Sequence, residues 1–510
     1  MLAIGRSLPL LEVARVARGA APVALDDQAR AELRRARDHL EAALAAGATI
    51  YGVNTGFGAL SETAIAAGDL AELQVNLLRS HAVGVGPLLE IPVVRALLLL
   101  RAHTLALGAS GVSPALVDHL IAMLAAGIIP AVPAQGSVGA SGDLAPLAHL
   151  ALVAIGEGEA LDGSARISGA DALARAGLRP LQLGPKEGLS LINGTQVMTA
   201  IGGLAACDAG ELVCAADIIG SLSVDALLGS ARPCDPRIHA GKPHPGQIES
   251  ARQIRGLLAD SPLNRSHADC GMVQDAYALR CMPQVHGAVR GALTYIAGAL
   301  QIEVDSFTDN PLVLPRGDGG FDVLSGGNFH GAAVAVPLDH LAAALTTLGT
   351  ISERRLDRLL NPATSRGLPP FLADRPGLES GMMMAQVTAS ALASECKAMS
   401  FPASVDTIPT SAGKEDHVSM GPIAARKAAA IVQNLARILA IEATIAARAL
   451  DLRRIPTSPP LEAVRAAVRA HVAPWAGDRS LSHELEALAA AILRGELRLA
   501  AGLPHPLAPA

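Results

Sequence analysis

The run from Gly421 to Leu450 constrains the fold most strongly. Ile431, Leu435, Ile438 and Ile445 recur along it at helical spacing, and alanine fills much of the remainder. Residues 284–301, 338–360 and 376–398 read as further long helical runs. Helices of this length, rich in small residues, bury their faces by packing closely beside one another in a bundle. Composition supports the same architecture: 50% of the chain is hydrophobic but only 2% is aromatic, so the core consists of Ala, Leu, Val and Ile. Ala and Leu lose little rotamer freedom in a helix. The 510 residues suffice for several cores. The expected fold is mainly α, with a loop-rich N-terminal portion over 1–200. Residues 201–510 form a central helical bundle and a C-terminal helical region from Pro456 that holds the only tryptophan, Trp475.

Asp26 or Asp27 is placed to cap a helix running to about Ala46, which Gly47 ends. Thr49 to Gly58 reads as a β-like start turning into a glycine loop. Asp69 and Glu72 have capping-box spacing before a helix carrying Leu70, Leu73 and Leu77 on one face. Residues 92–108 and 114–128 read as apolar helices. Leu120 to Ser141 carries no charge and approaches membrane-spanning length, but Pro130, Pro133 and Gln135 interrupt its second half. A short buried helix followed by a loop fits better, and a soluble chain without membrane partners is expected. Glu12 and Arg15 break the early apolar residues, against a signal peptide. The net charge is −6 with signs interspersed and no basic stripe, against a nucleic-acid partner. The six cysteines form no Cys-x-x-Cys pair, as expected of free thiols in a reducing cytoplasm. Neither His-Glu-x-x-His nor a phosphate loop is present, so no metal or nucleotide is expected.

The segment Gly136-Ser-Val-Gly-Ala-Ser-Gly-Asp-Leu-Ala-Pro-Leu-Ala-His149 carries the most specific chemistry. Three small residues, Ala140, Ser141 and Gly142, let backbone atoms approach closely. Attack of the Gly142 amide nitrogen on the Ala140 carbonyl, with loss of water, closes an imidazolone ring. Loss of the Ser141 hydroxyl as a second water leaves an exocyclic methylidene. The result is an electrophile, which no ordinary side chain supplies. A hydrolase nucleophile elbow would need Gly-x-Ser-x-Gly, and Asp143 breaks that pattern. Asp143 could assist the cyclisation or cap the following helix.

This segment resembles the signature of the aromatic amino acid ammonia-lyases, in which Ala-Ser-Gly becomes 4-methylideneimidazole-5-one (MIO). The resemblance runs nearly end to end. It includes Tyr51-Gly-Val-Asn-Thr-Gly-Phe-Gly58, Leu191-Ile-Asn-Gly-Thr-Gln196, Gln274-Asp-Ala-Tyr-Ala-Leu-Arg280, Ser325-Gly-Gly-Asn-Phe-His-Gly331 and Pro409-Thr-Ser-Ala-Gly-Lys-Glu-Asp-His-Val-Ser-Met-Gly421. It implies an MIO formed from Ala140, Ser141 and Gly142 in a long-helix bundle of the ammonia-lyase/fumarase-like type. It also implies a homotetramer with active sites shared between subunits. By the same resemblance Tyr51 is the base that takes the β-proton, Tyr277 supports it, and Asn193 and Phe329 lie beside the electrophile. Gln274 belongs to the segment of Arg280, which clamps the substrate carboxylate; Tyr277 and Arg280, three apart, can share a helical face. Tyr295, in no motif, reads as packing, and Asn310 as structural.

Within the family the substrate pocket is similar to that of the histidine lyases. Ser80-His81 stands where phenylalanine and tyrosine lyases carry other pairs, and Glu395 matches a carboxylate that partners an imidazole or amine. Its Ala-rich surroundings favour a buried, paired Glu395. The implied reaction is elimination of ammonia from L-histidine to trans-urocanate. The alternatives are another aromatic amino acid or a 2,3-aminomutase. Cys396, Phe401 and Gly331-Ala-Ala depart from the family pattern and remove polar groups near the substrate. A fumarase-type lyase would carry a Gly-Ser-Ser-x-Met-Pro loop, absent here.

Overall fold

The computed structural model describes residues 1–19, 21–56, 58 and 63–508; Phe57 of the Tyr51–Gly58 segment lies outside them. The chain divides into two compact units, Met1–Leu204 with Ala297–Leu338 and Pro402–Arg426, and Ala205–Ile296 with Asp339–Phe401 and Lys427–Ala510. Four of the five chain breaks between them fall inside long helices, Gln196–Ala226, Met282–Val304, Ala332–Leu360 and Gly421–Arg453; the fifth, between Phe401 and Pro402, follows the helix Met383–Met399.

The first unit combines shorter helices with small sheets. Asp26 caps the helix Asp27–Ala45 by accepting from the amides of Gln28 and Ala29, and Ser113 caps Pro114–Ala125 through Leu116. On the helix Ile91–Ala106 every residue from Ala96 to Ala106 is buried, the polar Arg101, His103 and Thr104 included. Two sequence expectations change. Asp69 is already helical at the end of a 3-10 turn, so its carboxylate makes no cap bond and no capping box forms. Residues 51–53 form a turn rather than a strand, because Ile50 and Val53 pack into a cluster with Ala36, Leu40 and Val313. The sheets are short. Leu2–Ile4 pairs in parallel with Val23–Leu25, whereas Leu312–Pro315 and Phe321–Leu324 form an antiparallel hairpin.

The second unit is a helix bundle. Ile431, Leu435, Ile438 and Ile445 are fully buried on the helix Gly421–Arg453, each stabilised by about 2 kcal/mol relative to exposure. Its core also encloses charges. Glu442 receives the Arg355 guanidinium through two bonds of 2.6 and 2.8 Å and a hydroxyl from Ser223 at 2.7 Å. Arg355 donates to His286 Nε2 at 3.1 Å, and His286 Nδ1 donates to Asp217 at 2.7 Å. That pattern requires a neutral imidazole, which burial favours by pushing its pKa down. Arg290 completes the set on Asp217. Burial alone would raise the Asp217 pKa, but Arg290 and His286 outweigh it and hold the carboxyl well below the usual range. Two carboxylates thus meet two guanidiniums with no charge left over.

Three helices are long and apolar enough to cross a membrane by length and composition. Their most apolar windows are 94%, 61% and 78% buried within the protein. Their apolarity is thereby largely accounted for by the protein's own core.

Candidate active site

The signature segment forms a tight turn in the first unit, between the strand Pro133–Gln135 and the helix Leu144–Ala154. Gly142 adopts φ +73°, and a Cβ there would lie 2.2 Å from the Gly194 carbonyl oxygen. Only glycine permits this approach. Gly139 is equally confined: a Cβ would lie 2.3 Å from Ser419 Oγ, which donates to its carbonyl at 2.8 Å. The Asp143 amide donates to the Gly194 carbonyl at 2.8 Å. The turn and the Asn193–Gly194 peptide are therefore pressed together.

Asp143 makes no cap bond to the helix that follows it. Its buried carboxylate reaches across the chain and accepts from the amides of Val197 and Met198, both at 2.9 Å, at the start of Gln196–Ala226. Burial nevertheless pushes its pKa up to about 7, against those hydrogen bonds. Asp143 caps a helix, but one 53 residues away in sequence.

Ser141 opens onto a cavity of about 970 Å³, which Ala140, Tyr51, His81, Asn193 and Phe329 also line. Asn193 Nδ2 donates to the Ser141 carbonyl at 2.9 Å, while its Oδ1 is buried without a partner. The Tyr51 phenol oxygen accepts from the Gly58 amide at 3.2 Å. His81 Nδ1 lies 2.9 Å from the Leu77 carbonyl, which can only accept, so Nδ1 carries the proton and Nε2 the lone pair. Burial lowers the His81 pKa and keeps the ring neutral. Asn310, read as structural, lines the same cavity, and its Oδ1 accepts from Gly326 N at 2.8 Å.

One central residue escaped the sequence reading. Glu415 Oε1 accepts the Ser141 hydroxyl at 2.5 Å, while Oε2 accepts from Thr410 at 2.6 Å and Ser411 at 3.0 Å. Burial alone would raise its pKa, but these hydroxyls outweigh it and hold the carboxyl below the usual range. The turn that presents it carries left-handed backbone at Ser411, Ala412 and Gly413, a conformation that costs energy at the two non-glycine positions. Pro409–Gly421 was legible as a motif, but no residue within it stood out. The parallel rings of His330 and His417, 5.9 Å apart, line the same cavity.

Gln274, Tyr277, Arg280 and Glu395 belong to the second unit and do not line this cavity. Gln274 and Arg280 line a separate cavity of about 560 Å³. Tyr277 and Arg280 do share a face: the guanidinium stands 5.2 Å from the phenol ring centre. Glu395 differs from its expectation in burial but not in pairing. It is exposed, and its carboxylate accepts from Asn434 Nδ2 at 3.2 Å. The helix Met383–Met399 buries only the stripe Ala389, Ala393 and Cys396, and Glu395 falls beside it. The departure at Gly331 has a physical reason, since a Cβ there would lie 2.6 Å from both Met198 Sδ and Ser419 Oγ.

The confined Gly142, the small buried Ala140, the Ser141 carbonyl held by Asn193 and the orphaned Asn193 Oδ1 all suit a compact ring at this turn. Among the described residues, no group of three or more His, Cys, Asp or Glu side chains could hold a metal ion.

Residues 8–470 match the aromatic amino acid lyase family. The chain belongs to that family. A histidine ammonia-lyase from Sorangium cellulosum (strain So ce56) is 52% identical over 501 residues, 97% of each chain. Among solved structures, a tyrosine aminomutase from Streptomyces globisporus superposes with a TM-score of 0.93 at 38% identity, covering 98% of each chain. A histidine ammonia-lyase from Trypanosoma cruzi gives 0.91 at 39% identity, covering 99% of this chain and 96% of that one. The chain is accordingly a carbon–nitrogen lyase of the ammonia-lyase type.

Proposed function

We propose that this family member eliminates ammonia from L-histidine to give trans-urocanate. The observation that carries this reading is the placement of the His81 imidazole and the Glu415 carboxylate in one cavity with Ser141. An imidazole N–H needs an acceptor, and an ammonium needs a carboxylate; this wall offers both. An MIO at Ala140, Ser141 and Gly142 would supply an electrophile that makes the amine a better leaving group. Asn193 Nδ2 would hold the oxygen of the Ser141 carbonyl. Tyr51, whose phenol oxygen already accepts a hydrogen bond, would take the β-proton at Oη. Phe329 would wall the ring side and help exclude water.

Arg280, with Gln274 and Tyr277 beside it in sequence, is assigned to the substrate carboxylate, and Glu395 to a second polar contact. Residues 1–200 then supply the electrophile and the base, and 201–510 the carboxylate clamp. A homotetramer with shared sites accommodates this division. Large apolar side chains stand exposed on the second unit of a single copy, among them Leu378 (74%), Phe401 (70%) and Met384 (63%). Surfaces of that kind are covered by partner subunits. The enzyme works in the cytoplasm, with no nucleic-acid or membrane partner.

A second reading has its own support in the TM-score of 0.93 to a tyrosine aminomutase. An assay resolving enoate from β-amino acid, run with L-histidine, L-tyrosine and L-phenylalanine, separates the two. Urocanate from histidine alone is expected. A β-amino acid from any of the three, or an enoate only from tyrosine or phenylalanine, would replace this reading.

A further inference from the structure

Arg101 is fully buried on the helix Ile91–Ala106. It faces no carboxylate within ion-pair distance among the described residues. Its Nη1 donates to the Asn193 carbonyl at 3.0 Å and to Gln196 Oε1 at 2.5 Å, while Nε and Nη2 are buried without partners. Burying a guanidinium on two neutral acceptors is costly, and an apolar side chain would fill the space at lower energy. The position calls for a reason beyond packing.

That reason lies in what Arg101 presses on. Gln196 Nε2 donates to Thr308 Oγ1 at 2.7 Å and Thr104 Oγ1 at 3.1 Å, so Arg101, Gln196 and Thr308 form one fastened wall. Gly194 lies against it: a Cβ there would meet Gln196 Oε1 at 2.4 Å, Arg101 Nη1 at 2.6 Å and Thr308 Oγ1 at 2.7 Å. On its other side Gly194 abuts Gly142, as described above. The order is a layered one, with the charged wall, then the Asn193–Gly194 peptide, then the Ala140–Ser141–Gly142 turn. The peptide has no free space on either side to recoil.

We propose that Arg101 is a positioning residue for formation of the electrophile, holding the Asn193–Gly194 peptide against the turn so that the Gly142 nitrogen stays near the Ala140 carbonyl carbon. The inference rests on the reading that Ala140, Ser141 and Gly142 cyclise. In that step a C–N bond forms between the Gly142 nitrogen and the Ala140 carbonyl carbon. The Ala140 oxygen leaves as one water with the amide hydrogens of Ser141 and Gly142. The Ser141 hydroxyl leaves as the second water with the Cα hydrogen of the same residue. No oxidant or co-reactant is required. Arg101 touches none of these atoms and acts through the peptide it grips.

Mass spectrometry of the full chain and of the peptide covering 136–149, followed over time after synthesis, tests this without any activity assay. The variants are Arg101→Met, Arg101→Lys and Thr308→Val, each checked for helical circular dichroism. Wild type is expected to lack two waters. Arg101→Met should dehydrate roughly tenfold to a hundredfold more slowly, the scale set by a small misplacement of reacting atoms. Arg101→Lys should recover part of the rate. Thr308→Val loosens the wall without touching the buried charge and should slow dehydration less; it decides the matter if Arg101→Met does not fold. Folded variants that dehydrate as fast as wild type would overturn the role of Arg101 and leave the cyclisation standing. A wild-type chain that keeps both waters would instead overturn the cyclisation itself.

Discussion

Ser141 donates its hydroxyl to Glu415, 274 positions further along the chain. No local pattern announces that contact, because helices far apart in sequence fold it into place. Tyr51, His81, Asn193 and Phe329 were legible because each stands in a distinctive segment, and they line one cavity with Ser141. Glu395 misled because alanine neighbours suggest burial, whereas only one stripe of its helix is covered. Two predictions belong at this scale. Tyr51→Phe removes the phenol oxygen while keeping the ring, and kcat on L-histidine should fall by about 10²–10⁴-fold. A loss below tenfold would remove Tyr51 from the proton transfer. Asp143, pushed up to about 7 in the folded state, binds its proton more tightly there than in the unfolded chain. Its stabilising contribution is therefore present below the ordinary aspartate pKa and is lost as pH rises towards 7. Relative to Asp143→Asn, wild type should lose thermal stability between about pH 4 and pH 7 and run parallel above. A constant difference across that range would mean the carboxyl titrates normally.

At the scale of elements, the helical period identified the long runs, and Ile431, Leu435, Ile438 and Ile445 are buried as their spacing requires. Helix ends were less legible. Asp69 has the right spacing for a capping box, but a 3-10 turn already occupies that position. The charged cluster linking four helices left no mark in the periodicity, since Asp217, His286, Arg355 and Glu442 each interrupt an apolar face once. Removing one partner strands the other in the core, so Glu442→Gln should cost about 3–5 kcal/mol. Urea unfolding with an unchanged m-value is the check. A cost under 1 kcal/mol would show that Arg355 finds another acceptor. Replacing Glu442 and Arg355 together by apolar residues should cost less than the single change, because no charge is then stranded.

At the scale of the whole molecule, each site is proposed to be built from more than one copy of the chain. Gln274, Tyr277 and Arg280 match the family segment, yet the cavity at Ser141 is lined without them. If sites are shared, two inactive variants should complement each other. Ser141→Ala and Arg280→Met, unfolded together and refolded as mixed tetramers, should regain a fraction of wild-type turnover, since some sites then receive both intact residues. Mixed tetramers as inactive as either parent would place Ser141 and Arg280 of each site on one chain. Light scattering on wild type should give four copies of the 51.9 kDa chain. Ser141 is proposed to become the electrophile on which turnover depends. The most direct measurement is urocanate formation from L-histidine by Ser141→Ala beside wild type, with both shown to be folded and tetrameric. Near-complete loss of turnover, with substrate binding retained, is the predicted result. Turnover within tenfold of wild type would contradict it.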